Sequence, residues 1–337
     1  MEDESDVARP YERIGVIGAG AWGTALALIA ARAGRSVSLW AREPEVVEVI
    51  ARTRQNAPFL PGIALPPMDC TGDMAAATAG AQALLVVVPA QHLRASLLEV
   101  SLHAPAGIPL VICAKGFERT SGKLVTEVFD ETAPSFEPAI LSGPSFAYDA
   151  AGGLPTAVTI AARPDIAKRL QASLSHATFR PYASDDILGV ALGGAAKNVY
   201  AIACGIVDGL GLGESARAAL LARGFAELRR LGNALGARPE TLMGLSGLGD
   251  LVLTATSPHS RNYRFGIEVG KGRTPVELCA PGQPLAEGVA TAPALVIRAA
   301  KEKIELPVAE TVACVLDGSL SPAQAIVRVM SRPLKPE

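Results

Sequence analysis

The chain has 337 residues, which is more than one hydrophobic core usually organises, so its length favours two domains. Hydrophobic residues make up 49% and charged residues 19% of the sequence, and this composition excludes an intrinsically disordered protein. The net charge is −2 and no dense block of Lys or Arg occurs, which excludes an electrostatic binding surface for nucleic acid or for an anionic membrane.

The cysteine and histidine residues indicate neither a disulfide framework nor a metal site. The five cysteines are scattered without CxxC spacing, and the four histidines show no HExxH spacing. The N-terminal segment is polar and acidic, whereas a signal peptide has a basic start followed by an apolar run. We therefore expect a cytoplasmic protein without a bound metal.

Short apolar runs alternate with helical patterns through the first half of the sequence. The predicted strands are residues 14–18, 36–40, 84–88, 110–114, 139–141 and 157–160, with 178–182 as a further candidate. Helical patterns at 24–33, 44–53 and 92–102 have the length of crossover connections between parallel strands, and clustered prolines at 58–67 predict a loop. This alternation predicts a doubly wound parallel sheet.

The β-type runs end near residue 186, and helical periodicity dominates the rest of the sequence. Residues 187–207 have the length of a membrane-spanning helix, but Lys197 and Asn198 lie at the middle, where a bilayer would penalise the charge. We interpret this stretch as a buried helix in a protein without integral membrane association. We therefore predict two domains, residues 1–185 with the parallel sheet and residues 186–337 as a mostly α-helical domain.

A glycine-rich motif follows the first predicted strand. The sequence GAGAWG at residues 18–23 has the GxGxxG spacing of dinucleotide-binding turns and leads directly into a helical pattern. Gly18 permits the tight turn, Gly20 lets backbone amides approach a pyrophosphate, and Gly23 lets the helix pack closely on the sheet. Because the helix N-terminus also attracts anions, the motif predicts a dinucleotide cofactor.

The end of the second predicted strand bears on the choice between NADP and NAD. NAD sites commonly place an acid there for the ribose 2′-hydroxyl, whereas this strand is followed by Ala41 and Arg42. Arg42 can bind a 2′-phosphate, which favours NADP. The nearby Glu43 and Glu45 leave NAD open, and so does the alternative that Arg42 is simply exposed at the start of a helix.

Two lysines are candidates for orienting a substrate and moving a proton, the tasks that a hydride-carrying cofactor leaves to the protein. Lys115 follows a predicted strand, at the edge of the sheet where ligands bind. Lys197 is the only charged residue between Asp186 and Asp208, and burial would lower its pKa toward a range useful for acid–base catalysis. The alternatives are an exposed loop residue for Lys115 and a structurally paired or snorkelling residue for Lys197.

Three polar segments carry groups suited to a small anion. They are the turn at 141–146, the glycine-rich turn at 245–250 and the run at 260–262, which offers hydroxyl, guanidinium and amide donors in three consecutive residues. The candidate residues in these segments are Gly143, Ser145, Asp250, Ser260, Arg261 and Asn262.

The surroundings of Lys197 suggest how this residue could be presented to a substrate. Gly193 and Gly194 precede it by one helical turn, and we expect them to let the helix approach the other domain. We also expect Asp250 to hydrogen-bond to Lys197 and orient it, while Lys115 holds the same substrate from the strand side.

Seven motifs of the sequence resemble those of one enzyme family. In chain order they are VIGAGAWGTALA, LWAR, CAKGFE, LSGPSFA, LGGAAKNV, SGLGDLVLT and SRNYRFG. This series resembles the bacterial NAD(P)-dependent glycerol-3-phosphate dehydrogenases. The resemblance implies a Rossmann-type domain followed by a helical domain, in a cytoplasmic enzyme that interconverts dihydroxyacetone phosphate and sn-glycerol 3-phosphate and supplies phospholipid synthesis.

The resemblance also implies roles for individual residues. Lys197 matches the proton acceptor of the family, and Lys115 matches a residue that contacts both cofactor and substrate. Matches to further substrate contacts are Gly143, Ser145, Asp250, Ser260, Arg261 and Asn262. Matches to cofactor contacts, besides the glycines of the turn, are Ala21, Trp22, Arg42, Ala147, Arg261, Leu285 and Glu287. The sequence after Glu287, VATAP at 289–293, departs from the polar or aromatic run usual in the family.

Two other functions stay open from the sequence alone. A reductase of β-hydroxyacids would share the glycine-rich motif and a helical domain with a lysine, although it has no need of the phosphate-binding run at 260–262. A redox sensor that binds NAD(P) without turnover would have no need of a buried Lys197. The sequence does not indicate the oligomeric state, and a homodimer stays open.

Overall fold

Two compact units divide residues 8–332, which are the residues that the structure, a computed structural model, describes. The first unit runs to Ala114 and includes Val125–Val190, whereas the second comprises Lys115–Leu124 and continues from Ala191. The segment Lys115–Leu124 therefore belongs to the second unit, although the chain on either side of it belongs to the first. The predicted domain boundary between residues 185 and 186 stays a prediction.

The first unit is built on an eight-stranded sheet. Its strands are β1 (Arg13–Ile17), β2 (Ser36–Trp40), β3 (Asp69–Thr71), β4 (Ala83–Val86), β5 (Pro109–Ile112), β6 (Glu137–Ser142), β7 (Thr156–Ala161) and β8 (Phe179–Ser184). Their order across the sheet is β3-β2-β1-β4-β5-β6-β7-β8, and all neighbours are parallel except β6 and β7. Each predicted strand overlaps an observed one, and the predicted sheet is confirmed.

Two features of the sheet differ from the sequence-based expectation. Strand β3 is an additional edge strand of three residues, exposed or only partly buried, and it lacks the apolar run by which strands are recognised. A wholly parallel sheet is also wrong at β6 and β7, which pair antiparallel. The helix between them has five residues, about 8 Å of rise, and is too short to return along a six-residue strand of about 20 Å.

Helices connect the strands of the first unit. They are α1 (Ala21–Arg32), α2 (Pro44–Thr53), α3 (Met74–Thr78), α4 (Leu93–His103), α5 (Val125–Thr132), α6 (Ala147–Ala151) and α7 (Pro164–Leu174). Fully buried strand residues such as Ile14, Val16 and Leu85 form the core together with the buried residues of α1. The proline-containing loop at 54–68 adds Leu60 and Leu65 to this core.

The second unit is mostly helical, as predicted. Helix α8 (Ile187–Gly209) begins in the first unit and continues into the second. It is followed by α9 (Glu214–Leu235), α10 (Pro239–Met243), α11 (Asp250–Thr256), α12 (Arg261–Gly270), α13 (Pro275–Leu278), α14 (Glu287–Lys301), α15 (Pro307–Leu316) and α16 (Pro322–Met330). A π-helical turn, Leu245–Gly249, leads into α11.

Within residues 8–332, α8 is the one helix whose length and apolarity would suit a membrane span. Its apolar stretch is entirely buried inside the protein, so the interpretation as a buried core helix is confirmed.

Helices α8 and α12 pack with their backbones almost in contact. Gly205 and Gly209 of α8 face Gly266 and Gly270 of α12, and a Cβ atom at Gly205 would lie only 2.1 Å from Tyr263 O. A side chain at any of these four positions would push the helices apart. The glycines therefore hold the start of α12, with its predicted anion-binding residues, close to the helix that carries Lys197.

Candidate active site

The glycine-rich turn lies between β1 and α1, and two of its three glycines are required for steric reasons. Gly18 has φ +115°, and a Cβ atom there would lie 2.5 Å from Val87 O. A Cβ atom at Gly23 would lie 1.7 Å from Gly18 O, so this glycine permits the close packing of helix on turn. At Gly20 a Cβ atom would meet nothing within 4 Å, and open space therefore adjoins the first turn of α1.

The residues after Gly20 begin the helix. Ala21 is the first residue of α1, and Trp22 packs partly buried against the core of the first unit. The N-cap residue Gly20 offers no side chain to the first-turn amides, so these amides are free to meet a ligand carrying negative charge. This geometry suits a pyrophosphate.

Arg42 lies just beyond β2 and is exposed. Its Nε and Nη2 atoms donate to Glu43 Oε1 at 3.0 and 2.7 Å. The guanidinium that was expected to bind a 2′-phosphate is thus paired with the neighbouring glutamate. The preference for NADP stays a prediction.

The turn after β6 contributes backbone and hydroxyl groups at the carboxyl edge of the sheet, where β1 and β2 also end. Gly143 has φ +147°, and a Cβ atom there would lie 2.8 Å from Val158 Cα. Ser145 Oγ donates to Gly143 O at 3.2 Å. Ala147 begins α6. The predicted contacts Gly143, Ser145 and Ala147 thus lie on one short turn of the first unit.

In the second unit, two lysines converge on one carboxylate. Lys115 Nζ donates to Asp250 Oδ2 at 2.7 Å, and Lys197 Nζ donates to Asp250 Oδ1. Lys197 Nζ also donates to Thr254 Oγ1 at 3.0 Å. The side chains of Lys115, Lys197 and Asp250 are 14%, 9% and 1% exposed. The expected hydrogen bond from Lys197 to Asp250 is confirmed, and neither lysine is an exposed surface residue.

Burial sets the proton affinity of Lys197. Removal from water lowers the pKa of its ammonium to about 8, because the charged form loses its hydration. The charge of Asp250 opposes this effect on the pKa, and the charge of Lys115 adds to it. Lys197 is therefore mostly protonated at neutral pH, yet close enough to its pKa to release the proton readily.

The predicted phosphate-binding run forms the start of α12. Ser260 is the N-cap residue, and its Oγ accepts from Tyr263 N at 3.2 Å. Asn262 is buried, donates through Nδ2 to Asn198 Oδ1 at 2.9 Å and accepts through Oδ1 from Gly288 N at 2.9 Å. Arg261 is exposed. The run therefore combines a helix N-terminus with an exposed guanidinium, while part of the hydrogen-bonding capacity of Ser260 and Asn262 serves the fold.

The two last predicted residues differ in their surroundings. Glu287 begins α14 and is partly buried. Burial raises the pKa of Glu287, whereas the positive charges of Arg261, Lys197 and Lys115 oppose this rise. Glu287 thus lies within electrostatic reach of both lysines. Leu285 is 53% exposed and lies in the loop before α14.

The expectation for Gly193 is wrong. A Cβ atom at Gly193 would lie 2.8 Å from Ser246 O and 2.9 Å from Gly247 Cα, so this glycine accommodates the π-helical turn of its own unit. That turn leads into Asp250, and Lys197 lies one helical turn after Gly193 on α8. The close approach at Gly193 therefore brings Asp250 within reach of Lys197.

Thr254 and Asn198 contact the predicted site residues, and neither contact was predicted from the sequence. Thr254 follows Asp250 by four residues and therefore lies on the same face of α11, where its hydroxyl reaches Lys197. That spacing was readable in the sequence. The bond between Asn198 and Asn262 joins residues 64 positions apart, and no sequence pattern indicated it.

Comparison with known proteins identifies the family. Models for the N-terminus and the C-terminus of NAD-dependent glycerol-3-phosphate dehydrogenase match residues 13–167 and 186–327. A protein from Parvibaculum lavamentivorans, named as an NAD(P)+ glycerol-3-phosphate dehydrogenase, is 53% identical over 97% of this chain and 98% of its own. One of the same name from a Bradyrhizobium species is 55% identical over 97% of this chain and 99% of its own.

A solved structure agrees with this result. The crystal structure of glycerol-3-phosphate dehydrogenase from Coxiella burnetii is 37% identical in sequence, has a TM-score of 0.91, and covers 96% of this chain and 99% of its own. Together with the paired lysines and the glycine-rich turn, these matches show that the chain belongs to the NAD-dependent glycerol-3-phosphate dehydrogenase family.

Proposed function

We propose that this protein reduces dihydroxyacetone phosphate to sn-glycerol 3-phosphate with NAD(P)H, and catalyses the reverse oxidation. The observation that carries the proposal is the buried group of Lys115, Asp250 and Lys197, in a chain whose full-length relatives bear the name of this activity. Family membership argues against a β-hydroxyacid reductase and against a sensor without turnover.

The turn between β1 and α1 fits a dinucleotide cofactor, because open space adjoins Gly20 and the first-turn amides have no side-chain cap. When bound, NAD(P)H supplies the hydride. Gly18, Gly20, Ala21, Trp22 and Gly23 hold its pyrophosphate side in this proposal. Further cofactor contacts, inferred from the family motifs, are Arg42, Lys115, Ala147, Arg261, Leu285 and Glu287.

Lys197 is the proton donor of the reduction. As negative charge grows on the carbonyl oxygen of the substrate, the ammonium stabilises that oxygen and then donates its proton to it. Asp250 and Thr254 orient Nζ, since both accept hydrogen bonds from it. In the oxidation direction, neutral Lys197 takes the proton back from the hydroxyl group. Lys115 holds the substrate, and its charge adds to the effect of burial in lowering the pKa of Lys197.

The start of α12 binds the phosphate group in this proposal. Arg261 supplies a charged donor beside the helix N-terminus, and Ser260 and Asn262 flank it. Gly143 and Ser145 are further substrate contacts in this proposal, inferred from the family motifs. We further propose a cytoplasmic enzyme whose product enters phospholipid synthesis, with no nucleic-acid partner and no integral membrane association, and a homodimer stays open.

A spectrophotometric assay tests the proposed reaction. The purified protein should oxidise NADPH or NADH with dihydroxyacetone phosphate, and much more slowly with unphosphorylated dihydroxyacetone. Arg261→Ala should raise KM for the phosphorylated substrate, because it removes a charge-assisted hydrogen bond worth about 1.5–3 kcal/mol. Arg264→Ala, at an exposed position on the same helix, should leave KM unchanged. Equal rates with both ketones would overturn the phosphate site.

The preference for NADP can be tested at Arg42, whose guanidinium pairs with Glu43. We expect NADPH to be used at least as well as NADH, and Arg42→Ala to weaken NADPH more than NADH, because only NADPH has the 2′-phosphate. Glu43→Gln should tighten NADPH binding by releasing Arg42. Measured Kd values that change equally for both cofactors in Arg42→Ala would show that Arg42 does not bind the 2′-phosphate.

A further inference from the structure

Asn56 is a fully buried polar residue in the loop between α2 and β3. It is not among the site residues described above. The loop holds Asn56 firmly, since Phe59 N and Leu60 N both donate to its backbone carbonyl at 3.2 and 2.7 Å. Leu60 and Leu65 anchor the loop in the core of the first unit. The position of the Asn56 side chain is therefore fixed by the fold.

The side chain of Asn56 reaches the glycine-rich turn. Its Nδ2 donates to Ala19 O at 2.8 Å and to Thr24 Oγ1 at 2.7 Å, and Thr24 Oγ1 donates to Ala19 O at 3.3 Å. Because a carbonyl oxygen can only accept, the amide group must present its NH₂ to Ala19. The carbonyl of Ala19 is thus held by two buried side chains, one from the loop after α2 and one from the residue that follows the motif.

Peptide planarity extends this constraint to the next residue. In a trans peptide the C=O of Ala19 and the N–H of Gly20 point in opposite directions, so fixing one fixes the other. With the Ala19 carbonyl directed at Asn56 and Thr24, the Gly20 N–H points away from both side chains. On the side of Gly20 where a Cβ atom would stand, there is open space.

We propose that Asn56, together with Thr24, is a positioning residue for the cofactor: by holding the Ala19 carbonyl, it presets the Gly20 amide for the pyrophosphate. This inference rests on the proposed function, because it takes the ligand of the turn to be NAD(P). It predicts a role in cofactor affinity for a residue that lies in a loop outside the GxGxxG motif.

Equilibrium titration of NADPH and NADH into the purified protein tests the inference. Asn56→Asp keeps the size of the side chain but turns an acceptor toward the Ala19 carbonyl, and Asn56→Ala removes both hydrogen bonds. With two hydrogen bonds lost or reversed, Kd should rise by about tenfold or more for either cofactor. The kcat at saturating cofactor should stay within about threefold, because the residue does not meet the substrate.

Thr24 provides the matched variants. Thr24→Val keeps the shape and removes the hydroxyl, so it should raise Kd, while Thr24→Ser keeps the hydroxyl and should bind as the wild type does. The double variant Asn56→Ala/Thr24→Val should bind no more weakly than expected from the larger single effect, since both act on one carbonyl. Leu170→Ala, a fully buried position on α7, should lower Tm yet leave Kd within about twofold.

Hydrogen exchange in the absence of cofactor separates this inference from the proposed function. The amides of residues 18–24 should exchange faster in Asn56→Asp and Thr24→Val than in the wild type or Leu170→Ala. If the wild type bound neither cofactor, the proposed function would be wrong. The exchange rates of residues 18–24 would then still show whether Asn56 and Thr24 fix the conformation of the turn. Unchanged exchange in both variants, wild-type Kd in both, or an equal rise of Kd in Leu170→Ala would overturn the inference.

Discussion

Lys197 is the one charged side chain between Asp186 and Asp208, and its surroundings explain how a lysine can be both buried and reactive. Asp250 and Thr254 accept its hydrogen bonds, which meets the requirement that a buried charge be paired. Lys115 shares the same carboxylate, so the paired charges are two positive to one negative. Burial lowers the pKa of Lys197, Asp250 opposes this effect, and the charge of Lys115 adds to the lowering.

Lys197→Met should abolish most of the turnover without preventing folding. The change keeps the bulk of the side chain and removes the proton donor, so kcat should fall by about 10²–10⁴-fold. Cofactor affinity should be unchanged in the same preparation. The matched control is Lys271→Met, an exposed lysine paired with Glu268. A folded Lys197→Met protein with near-wild-type kcat would transfer the role to Lys115.

Asp250→Asn should move the pH dependence of the reaction. Reduction needs protonated Lys197, so its kcat/KM should decline as the pH rises through about 8, while the oxidation should gain over the same range. The charge of Asp250 raises the pKa of Lys197, so its removal should shift both limbs to lower pH. Thr254→Val removes a hydrogen bond but no charge and should shift them little. Identical profiles for wild type and Asp250→Asn would contradict this account.

At the scale of elements, the packing of α8 against α12 is the constraint that single residues do not reveal. Four glycines allow the two backbones to meet, and α12 begins with the residues proposed to bind phosphate. The distance between the lysine and the helix N-terminus is thus set by the absence of side chains. A small displacement of α12 relative to α8 would therefore move the residues proposed to bind phosphate relative to Lys197.

Gly205→Ala should destabilise the protein, because its Cβ would lie 2.1 Å from Tyr263 O and neither backbone can yield locally. We expect a loss of about 1–3 kcal/mol in the free energy of unfolding, measured by urea denaturation, and a higher KM for substrate. Gly20→Ala is the control: its Cβ meets nothing within 4 Å, so stability should hold while cofactor binding weakens. Equal stability of both variants would refute the packing argument.

The elements show where sequence reasoning works and where it stops. Strands such as β1 and β2 were predictable because each is a short run that contains β-branched or aromatic residues, which favour strands. Strand β3 and the reversed β7 depend on pairing with neighbours, which a local pattern does not record. Lys197 stood out through its apolar surroundings, whereas the Asn56 contact joins a loop to a turn 37 residues away and left no periodic signal.

At the scale of the whole molecule, one buried carboxyl outside the active site couples folding to pH. Glu227 of α9 accepts hydrogen bonds from Val308 N and Ala309 N, at the N-terminus of α15, at 2.7 and 3.2 Å. Burial nevertheless raises its pKa to about 7, and the charge of Glu310 adds to the rise in pKa while the two backbone bonds and Arg230 oppose it. Folding thus favours the protonated form of Glu227.

The sign of the effect follows from this pKa. The ordinary pKa of the group, 4.5, is lower than the folded value, so the folded state binds more protons between them. Stability should therefore fall as the pH rises from about 4.5 to 7, by up to about 3 kcal/mol from this group. The urea midpoint should drop over this range in the wild type and drop less in Glu227→Gln. Glu240→Gln, at an exposed position, should follow the wild type, and parallel curves for all three would disprove the coupling.

The segment Lys115–Leu124 has a consequence for protein synthesis. Lys115 leaves the ribosome 135 residues before Asp250, its carboxylate partner, and Phe117, fully buried in the finished protein, emerges at the same early stage. While the first unit is being translated, the residues against which this segment packs in the second unit have not yet been synthesised. Domains generally fold as their residues emerge, so nascent chains should stay vulnerable to proteases at 115–124 until translation has passed residue 250. Chains stalled earlier would carry a glycine-rich turn but no catalytic centre.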